Sequence, residues 1–265
     1  MKKLAFNFFK IALLLYIVLC GILYFFQEKV IFLPLKLAKN FQFQFAQNFE
    51  ERSFKTSDNT VLHGLLFKAE NSKGLIFYLH GNAGNLSSWG FVAKTYTDLN
   101  YDVFILDYRG YGKSEGKITS QHQLFDDVQT VYKEIKNEYQ EDQIIVLGYS
   151  IGTGMASNLA SKNNPKLLIL QAPYYSLTDL MQRTIPIVPR FILKYKLENH
   201  KYLQDCKMPV ILFHGKEDQV IYPESSLKLK EACKSVEKVI LLDLLGHNGM
   251  TDDPNYLLEI KKILQ

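Results

Sequence analysis

The sequence predicts an α/β architecture: a doubly wound, mostly parallel sheet with a small inserted lid and an N-terminal transmembrane helix. Three observations carry that prediction. From residue 75 onward, short apolar runs that suit strands buried on both faces alternate with stretches of helical periodicity. Each such run leads into a loop rich in Gly, Asp, His or Asn, the edge at which open parallel sheets hold their ligands. The first 28 residues contain an uncharged apolar run unlike anything that follows. A chain of 265 residues, 47% hydrophobic and 22% charged, has room for one domain with a sizeable core plus an appendage. The expected organisation is an anchor over 1–28, a linker over 29–48 and one domain over 49–265, with 174–207 as its lid.

Residues 1–10 carry Lys2, Lys3 and Lys10, and residues 11–26 are wholly apolar, IALLLYIVLCGILYFF. Sixteen helical residues span roughly 24 Å, short of a bilayer core of about 30 Å, and snorkelling by Lys10 together with residues 4–9 closes the gap. A cleaved signal peptide is the competing reading. Its apolar region is normally shorter, and no small-x-small site precedes Gln27-Glu28-Lys29. The bulky Val18 and Leu19 argue against a lipidated Cys20. Lysines flank both ends of the run, and the expectation is an uncleaved single-pass anchor with the domain on the non-cytoplasmic side. The anchor is expected to be separable from the catalyst, so that a chain starting between Lys39 and Asn48 keeps its rate on short esters. Packing of the apolar stretch 30–35 onto the domain would defeat that separation. Cys206 and Cys233 are the other two cysteines, too few for a disulfide framework. The net charge of +4 is spread out with no basic stripe, which argues against nucleic acid as a partner.

Residues 49–67 alternate polar and apolar around Ser57-Asp58-Asn59 and predict an antiparallel hairpin. The run 75–79 predicts a buried strand ending in His80-Gly81-Asn82-Ala83-Gly84-Asn85, with a helix from about Ser87. A loop of this kind can aim the backbone N–H of Asn82 or Ala83 at a developing oxyanion. No phosphate-loop pattern is present, no metal-ligand spacing occurs, and no cofactor is expected. His80, beside a glycine at a strand end, reads as a hydrogen-bonded structural histidine. The run 103–106 leads to Asp107-Tyr108-Arg109-Gly110-Tyr111-Gly112, followed by a helix over about 120–137.

Residues 144–147 are four branched apolar residues that break into Gly148-Tyr149-Ser150-Ile151-Gly152, a G-x-S-x-G turn from strand to helix. The flanking glycines relieve crowding, Ser150 is held out over the sheet edge, and the Ile151 N–H lies at a helix N-terminus where it can meet an oxyanion. A further strand over 166–170 precedes the break in rhythm at 174–207. There Pro186 and Pro189 interrupt an apolar stretch, the basis for the lid. Tyr149, Tyr174 and Tyr175 are expected to shape the substrate cleft. The last two strands, 210–213 and 239–242, lead into Asp218 and His247. A serine hydroxyl needs a histidine to take its proton, and the imidazole needs a carboxylate to fix its tautomer. Ser150, Asp218 and His247 stand in the chain order that this turn predicts; Asp218 is favoured over the nearby Glu217 and Asp243. His63, His122 and His200 sit on polar segments and are expected to be solvated.

Together the His80–Asn85 loop, the 107–112 loop, Gly148-Tyr149-Ser150-Ile151-Gly152, His214-Gly215 to Asp218 and Gly246-His247-Asn248 resemble an α/β-hydrolase. More narrowly, they resemble the membrane-anchored α/β-hydrolase-domain serine hydrolases, which include lipid hydrolases and protein depalmitoylases. The resemblance spans about residues 50–264. It implies a triad of Ser150, Asp218 and His247, oxyanion donors on Ile151 and around Asn82, and a serine hydrolase acting on lipid-like acyl esters or thioesters through an acyl-enzyme. A peptidase of the same fold, or a catalytically silent membrane-tethered binding module, are the alternatives.

Overall fold

The computed structural model describes all 265 residues. Eight strands form one sheet: β1 (Phe49–Lys55), β2 (Val61–Phe67), β3 (Leu75–Leu79), β4 (Asp102–Asp107), β5 (Ile144–Tyr149), β6 (Leu167–Gln171), β7 (Val210–Gly215) and β8 (Val236–Leu242). Their order across the sheet is β8-β7-β6-β5-β3-β4-β2-β1. Strands β3 to β8 run parallel, and the hairpin β1-β2 adds antiparallel to β4. The strand order reverses at β3, with β4 on one side and β5 on the other, the kind of switch point beside which such sheets bind ligands.

Continuous apolar sequence in the parallel strands follows from burial on both faces. In β3, Leu75, Phe77 and Leu79 join a core beneath the helices α2 (Gln121–Ile135) and α3 (Gly152–Lys162), whereas Ile76 and Tyr78 join a second core with Tyr96, Tyr256 and Ile260. The side-chain hydroxyl of Ser120 accepts from the Gln123 N–H at 3.1 Å and starts α2 at the polar residue before its apolar stripe. Helix α1 (Lys2–Phe26) is long and apolar enough to cross a membrane by length and composition.

Three expectations are corrected here. Residues 29–48 are not a free linker: Phe32 and Phe43 are buried, and Phe32 meets the ring of Tyr195 edge-on at 5.1 Å. Leu33–Pro34 pairs in parallel with Ala83–Gly84, the Gly112 N–H donates to Leu35 O at 2.9 Å, and the Leu37 N–H donates to Gly112 O at 2.9 Å. In the apolar stretch 30–35, Phe32 is buried on the domain and Ile31 is half-buried while Val30, Leu33 and Leu35 stay exposed, and the backbone pairing of this stretch stands against the separability expected above. Within the expected lid, Tyr174 and the 177–193 segment with α4 (Leu177–Thr184) line the cleft and the chamber beside it. Tyr195, Leu197 and Leu203 are fully buried where α5 (Asn199–Asp205) packs on α3, because the apolar residues after Leu193 fit the flank of the elbow helix. His63 is buried, not solvated: its Nε2 lies 2.8 Å from Glu51 Oε2 and its ring stacks on Phe43, since the alternation of β2 turns it inward under that ring.

Arg109 is the charged centre of the loop after β4. Its Nε lies 2.5 Å and its Nη2 2.8 Å from the two oxygens of buried Asp127 on α2, and it also holds both oxygens of Asp58 in the hairpin turn at 2.8 Å. Burial pushes Asp127 above the usual carboxylate range, and the guanidinium opposes that shift. Arg109→Met leaves a buried carboxylate without its cation and is expected to cost about 3–5 kcal/mol. Urea denaturation measures the loss, and a change below about 1 kcal/mol would show that water takes over the role of the guanidinium.

Candidate active site

Ser150 follows β5 with φ +52°, a left-handed conformation that costs a residue with a β-carbon and lifts its hydroxyl off the sheet. The close approach explains the glycine on its far side: a β-carbon on Gly152 would collide with the carbonyl oxygen of Leu79. The Ser150 N–H donates to Gln171 O at 2.9 Å and pins the turn to β6.

The loops after β7 and β8 bring the other two groups to this point. His247 Nε2 lies 2.9 Å from Ser150 Oγ, and His247 Nδ1 lies 2.7 Å from Asp218 Oδ2. The second oxygen of Asp218 accepts from the N–H groups of Val220 at 2.8 Å and Ile221 at 2.9 Å. Burial alone would raise the Asp218 carboxyl, but the donors His214, His247 and Ile221 outweigh it and hold it well below the usual carboxylate range. The group is therefore a fixed anion at neutral pH, able to orient the imidazole and to stabilise its charged form. Glu217 and Asp243 take no part in this contact; Asp243 pairs instead with Lys216 at 2.5 Å. Behind Asp218, the buried His214 has Nε2 at 2.8 Å from Ile221 O and Nδ1 at 2.7 Å from Ser226 Oγ.

On the facing side, the N–H groups of Ile151 and Asn82 have no backbone acceptor. The backbone that carries Asn82 is braced from the 107–112 loop, where the Tyr108 hydroxyl donates to His80 O at 2.9 Å and the Tyr111 hydroxyl to Asn82 O at 2.7 Å. Trp89 Nε1 donates to Ala83 O at 2.7 Å. His80 is fully buried with Nδ1 2.7 Å from Gly81 O, the structural role expected for it. The Tyr149 hydroxyl donates to the carbonyl of His247, holding the histidine loop against the elbow.

A cleft of about 370 Å³ opens over Ser150. Ile151, Asn82, Ala83, Tyr149 and Tyr174 line it together with Ser150 and His247. Tyr175 does not. Its ring turns away to stack on His200 at 4.3 Å, in a neighbouring depression on the surface. The wall also contains residues that the sequence pattern did not single out: Val30, Ile31, Trp89, Leu177 and Leu180. No local signal marks Val30 and Ile31, which come from the other end of the chain. For the bracing tyrosines a signal exists, the aromatic pair at i and i+3 around Gly110.

A family profile described as serine aminopeptidase, S33, matches residues 70–203. The chain is an α/β-hydrolase of that family. This α/β-hydrolase is 30% identical over 207 residues to protein bem46 of Schizosaccharomyces pombe, covering 74% of this chain and 69% of the relative. It is 29% identical over 199 residues to the human alpha/beta hydrolase domain-containing protein 17B, covering 73% and 67%. The Pyrococcus furiosus esterase Pf2001 superposes with a TM-score of 0.71 at 19% identity, over 88% of this chain and 96% of that one, a likeness of fold. The chain is a hydrolase, and its mostly parallel sheet with helices is the fold of its α/β-hydrolase neighbours.

Proposed function

We propose that this hydrolase cleaves carboxylic esters or thioesters through an acyl-enzyme, with Ser150 as nucleophile. The observation that carries the reading is the unbroken relay of Ser150 Oγ to His247 Nε2 at 2.9 Å and His247 Nδ1 to Asp218 at 2.7 Å. His247 takes the hydroxyl proton as Ser150 attacks the carbonyl carbon, then gives it to the leaving alcohol or thiol. Asp218 holds the imidazole in the tautomer that leaves Nε2 free to accept. The tetrahedral oxyanion is received by the Ile151 N–H and by the N–H of Asn82 or Ala83. Water deacylates the enzyme by the same proton path in reverse.

The cleft favours an acyl substrate over a peptide. A free α-amine needs an anionic partner, and no Asp or Glu lines the cleft, whereas most of its wall is apolar. The family description, serine aminopeptidase, favours the second reading, a peptidase. A silent binding module has no use for the complete relay. A fluorophosphonate probe tests the assignment: it should label the wild-type protein and not Ser150→Ala, and equal labelling of both would remove Ser150 from the reaction. Side-by-side assay of p-nitrophenyl esters and aminoacyl amides decides between ester and peptide, with faster amide cleavage overturning the ranking. We further propose that α1 tethers the domain to a membrane, a reading supported by the length and apolar surface of the helix.

A further inference from the structure

The cleft over Ser150 adjoins a second chamber of about 240 Å³, with Val30, Ile31, Leu177 and Leu180 as shared walls. Beyond them the second chamber is bounded by Leu23 of α1 on one side and by Met181 and Val188 of the 177–193 arm on the other. Its lining has two polar residues, Gln27 and Thr184. The Gln27 amide is already spent: Nε2 donates to Ile192 O and Tyr24 O at 3.1 Å, and Oε1 accepts from the Lys194 N–H at 2.8 Å. Thr184 likewise donates its hydroxyl to Leu180 O at 2.9 Å. The chamber thus offers an occupant apolar surface and no unused hydrogen-bonding group.

Its position says where that occupant comes from. The Tyr16 hydroxyl donates to Ile187 O at 2.7 Å, which places the tip of the arm beside α1 about 15 Å up from the helix end at Phe26. Cys20 packs with Val188 and Ile192 in the same seam. The arm exposes Ile187 and Phe191, the latter 79% exposed, and α1 exposes an apolar face of its own. Helix and arm therefore form a single apolar surface, and the chamber lies just behind it.

We propose that the second chamber holds the acyl chain of the substrate, with the membrane-anchor helix as one of its walls. The proposal rests on the ester-hydrolase reading of Ser150 and adds its substrate class: a medium or long acyl chain whose carbonyl sits at Ser150 and whose tail passes Val30 and Leu177 towards Met181 and Val188. A short acyl group leaves the chamber unfilled, so the apolar contact favours long chains.

The test uses the full chain in detergent micelles, with p-nitrophenyl acetate and p-nitrophenyl dodecanoate as probes. Met181→Trp and the smaller step Met181→Phe fill the chamber from the arm, and Leu23→Trp fills it from the helix. Fluorophosphonate labelling of Ser150 checks that each variant is folded. The ratio of kcat/KM for dodecanoate to that for acetate is expected to fall about tenfold or more in the Trp variants, what the lost burial of two methylenes is worth, and less in Met181→Phe. A ratio that stays at the wild-type value in all three overturns the proposal, whether the two rates hold together or fall together. Absence of Ser150-dependent turnover of either ester by the wild-type protein overturns the hydrolase reading instead, and the chamber assignment with it.

Discussion

Ser150→Ala is expected to lower kcat/KM for a short carboxylic ester by about 10⁴-fold or more while leaving the thermal unfolding transition in place. Ser150 Oγ makes its contact with His247 Nε2 at the open cleft, so removing the hydroxyl leaves no buried polar group without water. His247→Ala should cost a similar factor, and the double variant should fall no further, because the two residues form one proton path. Asp218→Asn is expected to lose about 10⁴-fold for a different reason. The amide still fits between His247 and the Val220 and Ile221 N–H groups, but it offers a neutral dipole to an imidazole that must become charged. Steady-state kinetics on purified variants measures all four, and normal turnover by Ser150→Ala would remove the relay from the mechanism.

A chain starting at Asn40 is expected to aggregate or to lose at least about a hundredfold in rate on every ester, short ones included, whereas one starting at Phe26 folds and turns over short esters. The strap between these points contributes structure that the domain cannot replace. Val30 and Ile31 form part of the cleft wall, and Phe32 is 4% exposed against Tyr195. Leu35 bonds to both Gly84 and Gly112, and Asn85 Nδ2 donates to Leu35 O at 2.9 Å, so the strap closes the loop that carries Asn82. Burial of Phe32 is worth about 2 kcal/mol. Each of the backbone hydrogen bonds is worth about 1 kcal/mol. A domain of this kind is stable by only about 5–15 kcal/mol. Size-exclusion chromatography and short-ester kinetics on the two chains decide the matter: an active, monodisperse chain starting at Asn40 would show that the strap is ornamental.

The parts of the molecule legible in its sequence are those in which local pattern and tertiary role coincide. The runs at 75–79, 144–147 and 210–213 are continuous because both faces of the central strands are buried, so periodicity alone announces a parallel sheet. Ser150 and Asp218 were legible because each follows such a strand, and His247 because it follows the apolar run 239–242 of the edge strand β8. The strap was not legible. Val30 lies 120 positions before Ser150, and an apolar stretch beside a membrane helix looks the same whether it packs on lipid or on protein. His63 failed for a related reason, since its neighbours on β2 say that it alternates but not that Phe43 covers that face. Tyr175 failed because which of two adjacent tyrosines faces the cleft is a matter of loop geometry, to which their sequence gives no clue.

The left-handed backbone at Ser150 makes the reactive residue a point where the protein works against its own durability. A β-carbon at φ +52° costs about 1–2 kcal/mol, and alanine keeps that cost while glycine removes it. Ser150→Gly should therefore melt higher than Ser150→Ala, by about 1 kcal/mol after the extra freedom of glycine in the unfolded chain is subtracted. In a chain of this size that is about 2–4 °C in Tm, readable by calorimetry. Equal melting temperatures would mean that the turn relaxes when the hydroxyl leaves. The expected ordering makes the inactive glycine protein the sturdier molecule: catalytic readiness is held as conformational tension by the surrounding sheet.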